Sequence, residues 1–346
     1  MTPALRVSAP GLLTTIQDLG RFGYQHLGVP VSGALDTVSL RAANLLVGNP
    51  PEAAAIEAAY VGPTLVAQAD DVRIAVVGAS TNIEILPEDN ATHGRAARPL
   101  QSLYLRRGEA LRLGPLKGGM AAYIAVEGGF DIAPVLGSLS TCIRGGFGGW
   151  QGRALVAGDV LPLRRRASER DELQLAGFDL SPPQKVRAIP GPQADYFSDS
   201  EIAAFFRSTY IVGPSMNRMG MRLTGRPIQH ARGFDIPSDA IAAGSIQVPG
   251  TGQPIVLLAD RQTTGGYPKI ATVISADIPA LSRFPLGGEI AFEPVTVEVA
   301  ESLRRQHIAS VAALASKLVP VDGVSADVTS NLSTCNLISG FIDIAA

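Results

Sequence analysis

The chain has 346 residues, a hydrophobic fraction of 46% and a formal net charge of −2, which suits one large or two ordinary folded domains and argues against disorder. With no basic stripe and no aromatic–basic interleaving, nucleic acid is not expected as a partner, and no apolar run reaches transmembrane length. The 37 glycines and 25 prolines, set against 5% aromatics, point to many short strands joined by tight turns and not to a helical bundle.

In chain order, the start Met-Thr-Pro-Ala-Leu-Arg has no apolar signal core, so the cytoplasm is the expected compartment. The segment Thr14-Thr-Ile-Gln-Asp-Leu-Gly-Arg21 continues through a glycine-punctuated stretch to Asp36. It groups an amide (Gln17), a carboxylate (Asp18) and a guanidinium (Arg21). Arginine offers a planar fork to a carboxylate or phosphate, with Asp18 placed to orient it; the plainer reading is a local Asp–Arg pair that stabilises a turn. A helix is predicted over 36–47, with Asp36 as N-cap, Leu40, Asn44 and Val47 on one face, and Gly48 ending it. Strands are predicted at 72–77, 102–105, 110–113 and 121–126. Three turn units, starting at Gly108, Gly158 and Gly288, each place glycine and an acid before an alternating apolar strand.

Arg144-Gly-Gly-Phe-Gly-Gly-Trp-Gln-Gly-Arg153 is glycine-rich but matches neither a P-loop nor a dinucleotide fingerprint. The charge run at 164–172 and Ser181-Pro-Pro-Gln read as a solvated linker, with a domain boundary near 180. A second helix is predicted over 198–207, and residues 319–346 read as a flexible tail. Cys142 and Cys335 stand alone, and the four histidines are scattered, so neither a disulfide nor a bound metal is expected.

The densest polar segment is Leu258-Ala-Asp-Arg-Gln-Thr-Thr-Gly-Gly-Tyr-Pro-Lys269, between an apolar strand at 254–259 and a second one after Lys269. Asp260, Gln262, Thr263, Thr264, Tyr267 and Lys269 supply hydrogen-bonding groups of several kinds. Gly265 and Gly266 would allow close approach and positive φ, so that backbone N–H groups face an anion. The plainer reading is a polar turn that satisfies its own backbone.

These two segments, with Ser215-Met-Asn-Arg-Met-Gly-Met-Arg-Leu-Thr-Gly225 and Gly244-Ser-Ile-Gln-Val-Pro-Gly250, resemble the family of the bacterial 5-oxoprolinase C subunit. That family is also described as allophanate hydrolase subunit 2, as the carboxyltransferase domain of urea carboxylases, and as the antagonist of the Kip kinase inhibitor. The resemblance runs from about Leu5 to His307. It implies a mainly β fold of two cyclophilin-like barrels, 1–180 and 181–318. It implies catalytic roles for Asp18, Arg21, Asp260 and Lys269, and substrate contacts from Gln17, Arg218, Gln247, Gln262, Thr263, Thr264, Gly265, Gly266 and Tyr267. Where the family commonly carries an acid after Ser-Thr, this chain has Cys142.

The activity so implied is ATP-dependent opening of 5-oxoproline to glutamate, with the A and B subunits of the enzyme as required partners. The alternatives are carboxyl transfer from a separate biotin carrier to a urea-like amide, and non-catalytic capture of a kinase-inhibitor partner. No Ala-Met-Lys-Met sequence is present, so no biotin is expected on this chain. No Gly-x-Ser-x-Gly elbow is present either, which argues against a covalent serine hydrolase.

Overall fold

The structure, a computed structural model, describes residues 3–87 and 94–321. Over those residues it is mainly β, with three α-helices: α1 (Thr37–Leu46), α2 (Asp199–Arg207) and α3 (Val297–Ala312). The first half folds its strands into a six-stranded and a five-stranded sheet, and the second half closes a seven-stranded barrel.

The strand Lys117–Val126 shows why the first half takes this form. Side chains alternate across a strand. Ile124 and Val126 enter the core between the two sheets, whereas Ala121, Tyr123 and Ala125 face outward into a second core. Its neighbours Val72–Ser80 and Ala55–Ala59 divide the same way, with Ile74, Val76 and Ile56 inward and Ala75, Val77, Ala55 and Ala59 outward. The outward set is mostly alanine, which lets α1 lie close on the sheet through Leu40, Ala43 and Leu46. This second core runs on without a break into the barrel, through Val186, Tyr210, Met221, Ile246 and Phe292.

The helix expected at 36–47 is α1. Asp36 caps it, accepting from the N–H groups of Val38 and Ser39 at 3.0 and 3.1 Å. The helix expected at 198–207 is α2, capped by Ser198. The sequence reading missed α3. Thr296 caps it and Glu298 sits in its first turn, but none of its residues is fully buried and its apolar residues share no narrow face.

The charge run at 164–172 is not simply a solvated linker. The buried carboxylate of Glu127 accepts from Ser168 Oγ at 2.6 Å and meets Arg73, Arg165 and Arg170 within 3.0–3.6 Å. Leu173–Leu175 then pairs antiparallel with Leu318–Pro320, so strand structure reaches into the first residues of the expected tail. Residues 322–346 of that tail, with Cys335, lie outside the described residues.

Candidate functional site

Asp18 and Arg21 do not pair with each other; both reach to the loop at 135–147. Asp18 accepts from Gly20 N at 2.8 Å, Ser138 Oγ at 2.7 Å, Leu139 N at 2.6 Å and Ser140 Oγ at 2.5 Å. Those donors fill a carboxylate's capacity, so Asp18 fastens the loop. Gln17 is buried beside it and donates to Thr15 Oγ1 and the Thr141 carbonyl. Arg21 is 1% exposed. It donates to the Ser140 carbonyl and lies 4.9 Å from the centre of the Phe147 ring. Burial pushes its pKa down, against the nearby charges of Cys142, Asp18 and Asp260.

A buried network joins the two halves. Arg218 holds Asp260 in a fork, Nε to Oδ2 at 2.7 Å and Nη2 to Oδ1 at 3.0 Å. Its Nη2 also donates to the Gly33 carbonyl at 2.7 Å, and its Nη1 to Glu57. Tyr123 donates to Glu57 at 2.6 Å and accepts from Asp36 N at 2.7 Å, and Asp36 pairs with Arg283. Burial alone would lower the pKa of Arg218, but Asp260 and Glu57 together raise it. Burial, with Glu57 and Asp36 nearby, pushes Tyr123 well above the usual tyrosine range. Arg218 does sit on anions, as its apolar setting requires, but the anions are this chain's own carboxylates.

Lys269 also finds an internal partner. It is 1% exposed, and its ammonium donates to Asp239 at 2.6 Å and to the Ala240 carbonyl at 3.2 Å. Thr264–Gly265 pairs with Asp239–Ala240 as a two-stranded ribbon. Neither Gly265 nor Gly266 has positive φ. A Cβ at Gly265 would lie 2.6 Å from both Gln247 Nε2 and Ile241 Cδ1, so glycine there serves close approach of these two side-chain ends and not turn geometry.

Three segments singled out in the sequence meet at a cavity of about 320 Å³. Gly28–Pro30 form one wall, Cys142, Arg144, Gly145 and Phe147 a second, and Asp260, Arg261, Gln262 and Thr263 a third. Arg21 stands behind Phe147, and Arg218 behind Asp260. Gln262 also opens onto a smaller cavity of about 220 Å³ with Gln247, Tyr267, Ser215, Asn217 and Arg222. Of the expected catalytic set, Asp260 alone lines the larger cavity. Asp18 opens onto a different one beside Asn49 and Glu52.

Sequence reasoning passed over Arg261, which stands between two residues it chose. Arg261 is 6% exposed, and its Nε and Nη1 donate to the carbonyls of Ile241 and Leu258. Burial lowers its pKa, partly offset by Asp260. The sequence held no signal for it: Arg261 adjoins Asp260 there, and only the fold brings Arg218 to take both of the Asp260 oxygens. Arg144 reaches the same cavity from the glycine-rich loop and donates to Met219 Sδ at 3.5 Å. The lining therefore offers two guanidiniums, amide, hydroxyl and thiol groups and one fixed carboxylate, with no histidine to serve the thiol as a base. This set suits binding and charge stabilisation at an amide or oxyanion, not covalent attack by an activated nucleophile.

Among the described residues no cluster of three or more His, Cys, Asp or Glu side chains is placed to hold a metal ion, and no helix is long and apolar enough to cross a membrane. The carboxyltransferase domain family, subdomains A and B, matches residues 27–294. The chain is 39% identical over 304 residues to the 5-oxoprolinase C subunit of Escherichia coli (strain K12), covering 88% of this chain and 95% of that protein. It is 38% identical over 296 residues to the protein of the same description from Haemophilus influenzae, covering 85% and 92%. Its fold is similar to that of the K. lactis urea amidolyase, with a TM-score of 0.80 and 28% identity over 92% of this chain. It spans only 21% of that larger enzyme.

Proposed function

This chain belongs to the family of carboxyltransferase domains with subdomains A and B, and from that premise we propose that it is the C subunit of an ATP-dependent 5-oxoprolinase, opening 5-oxoproline to glutamate together with the A and B subunits. The observation that carries this reading is the 39% identity along 95% of a relative described by that name.

The cavity chemistry supports it. A lactam is a stable amide, and ATP would supply the activation of its oxygen. Arg144 and Arg261 then hold the negative charge that gathers on that oxygen or on transferred phosphate. Asp260, immobilised by Arg218, accepts from the ring N–H, while Gln262 and Thr263 orient the amide. The Cys142 thiol in the lining has no histidine beside it, and the Asp260 carboxylate is held by Arg218, so the hydrolytic step draws on a partner protein.

Purified alone, the chain should show no 5-oxoproline-dependent ATP hydrolysis, and activity should appear on adding the A and B subunits. In that complex Arg144→Met and Arg261→Met should each lower kcat/KM about tenfold or more, the cost of one charge-assisted contact. Full activity of the isolated chain, or of both variants in the complex, would refute the assignment. The likeness of fold to a urea amidolyase favours a second reading, transfer of a carboxyl group from carboxybiotin to a urea-like amide. Turnover of urea with a biotin carrier, and none of 5-oxoproline, would establish that reading instead.

A further inference from the structure

Arg261 is a wall with two sides. Behind it lies another cavity, of about 280 Å³, formed where α1, the barrel and α3 meet. Three arginines line this cavity, Arg41 from α1, Arg261, and Arg304 from α3, and no carboxylate does. None of the three forms an ion pair among the described residues. Arg261 has spent Nε and Nη1 on backbone carbonyls, which leaves Nη2 as its nitrogen without a partner in the protein. Burial lowers the pKa of Arg41, and the neighbouring charge of Arg304 lowers it further, with Glu52 opposing. The rest of the lining is largely apolar, including Leu19, Val31, Leu35, Leu258, Ile278 and Pro279.

Arg261 is almost fully buried and Arg41 half-buried, while Arg304 stands exposed at the rim and Glu52 acts on Arg41 from outside the lining; the buried guanidinium, with a nitrogen left over, is the one that an anion joining the three would stabilise most. A carboxylate fits the planar forks of guanidinium groups, and apolar walls ask for a compact hydrocarbon body beside it. We propose that this second cavity binds a small organic carboxylate, its oxyanion held by Arg261, Arg41 and Arg304 and its apolar body packed against Leu35, Leu258 and Ile278. The ligand is thus neither a bare inorganic anion nor a neutral amide. The site is separate from the cavity assigned to the lactam and shares only Arg261 with it.

The test is calorimetric titration of the full chain with cyclopentanecarboxylate, the uncharged cyclopentanecarboxamide and inorganic phosphate. The carboxylate should bind, and the amide and phosphate should bind at least tenfold more weakly. Arg41→Met with Arg304→Met in one variant keeps the apolar stems and removes two charges, so affinity should fall tenfold or more while the melting temperature holds or rises. Arg144→Met, which changes only the neighbouring cavity, should leave carboxylate affinity unaltered. The proposal is overturned if no carboxylate binding appears at millimolar concentration or if phosphate binds as tightly. It is also overturned if the double variant binds normally, or if Arg144→Met weakens binding as much as the double variant does. Because neither partners nor ATP enter the titration, a chain that binds the carboxylate but supports no 5-oxoproline turnover would refute the proposed function and leave this site standing.

Discussion

Single residues here are separated by what their charges already hold. Arg218 and Arg261 are both buried arginines beside Asp260, one by contact and one by sequence, yet Arg218 is neutralised inside the chain and Arg261 is not. Arg218→Met leaves Glu57 and Asp260 buried without their cation, so it should destabilise the fold by about 3–5 kcal/mol, as broken buried pairs do. Urea denaturation would measure this, and a loss under about 1 kcal/mol would show the network to be dispensable. Asp159 allows a pH test. Its carboxylate takes both Nη atoms of Arg153 at 2.7 and 2.8 Å and the N–H of Val156, and chiefly through the Arg153 bond its pKa is held down at about 2. A depressed acid stabilises the fold fully above its unfolded pKa and loses that contribution as pH falls through its folded value. Arg153 is 36% exposed, so solvent screening limits the pair to about 1 kcal/mol. Asp159→Asn should therefore melt below the parent at pH 6, and the gap should close as pH falls from about 4 toward 2. A gap that stays constant would contradict the ion pair.

Among elements, the glycine-rich loop at 144–153 rewards comparison of its own glycines. Gly146 and Gly148 both have positive φ, +69° and +75°. A Cβ at Gly146 meets nothing within 4 Å, whereas at Gly148 it would lie 2.1 Å from the Ser140 carbonyl oxygen and 2.6 Å from Arg21 Nη2. Gly146→Ala should thus cost only the left-handed backbone penalty of about 1–2 kcal/mol. Gly148→Ala adds overpacking of about 1–3 kcal/mol and displaces Arg21 from Ser140. Equal stabilities in guanidinium titration would show that the loop simply moves aside. The sequence carried some of this clearly. Asp36 and Gly48 bracketed α1 because capping is local chemistry, and the apolar runs at 72–77 and 121–126 announced strands because both faces are buried. The chain pattern of α3, with apolar residues on no single face, gave periodicity nothing to detect. The site was legible as segments and not as residues. Which arginine keeps a free nitrogen depends on partners brought from far along the chain, such as Glu57 for Arg218 across 161 positions and Asp239 for Lys269 on a neighbouring ribbon strand.

For the molecule as a whole, the apolar core shared by sheet, α1 and barrel bears on how the chain melts and how it is made. Two independent modules would unfold in two steps. Here neither half can open without baring the other, so scanning calorimetry should give one heat-absorption peak whose van't Hoff and calorimetric enthalpies agree. Two resolved peaks would show that the halves open separately. The same continuity imposes an order on biogenesis. α1 covers much of the outer face of the first half, and the end of Lys117–Val126 near Gly119 is covered by residues 278–283 of the second half, which the ribosome adds much later. Through that interval the nascent chain leaves the part of this apolar face beyond α1 uncovered, the kind of surface that chaperones hold and that aggregates when they do not.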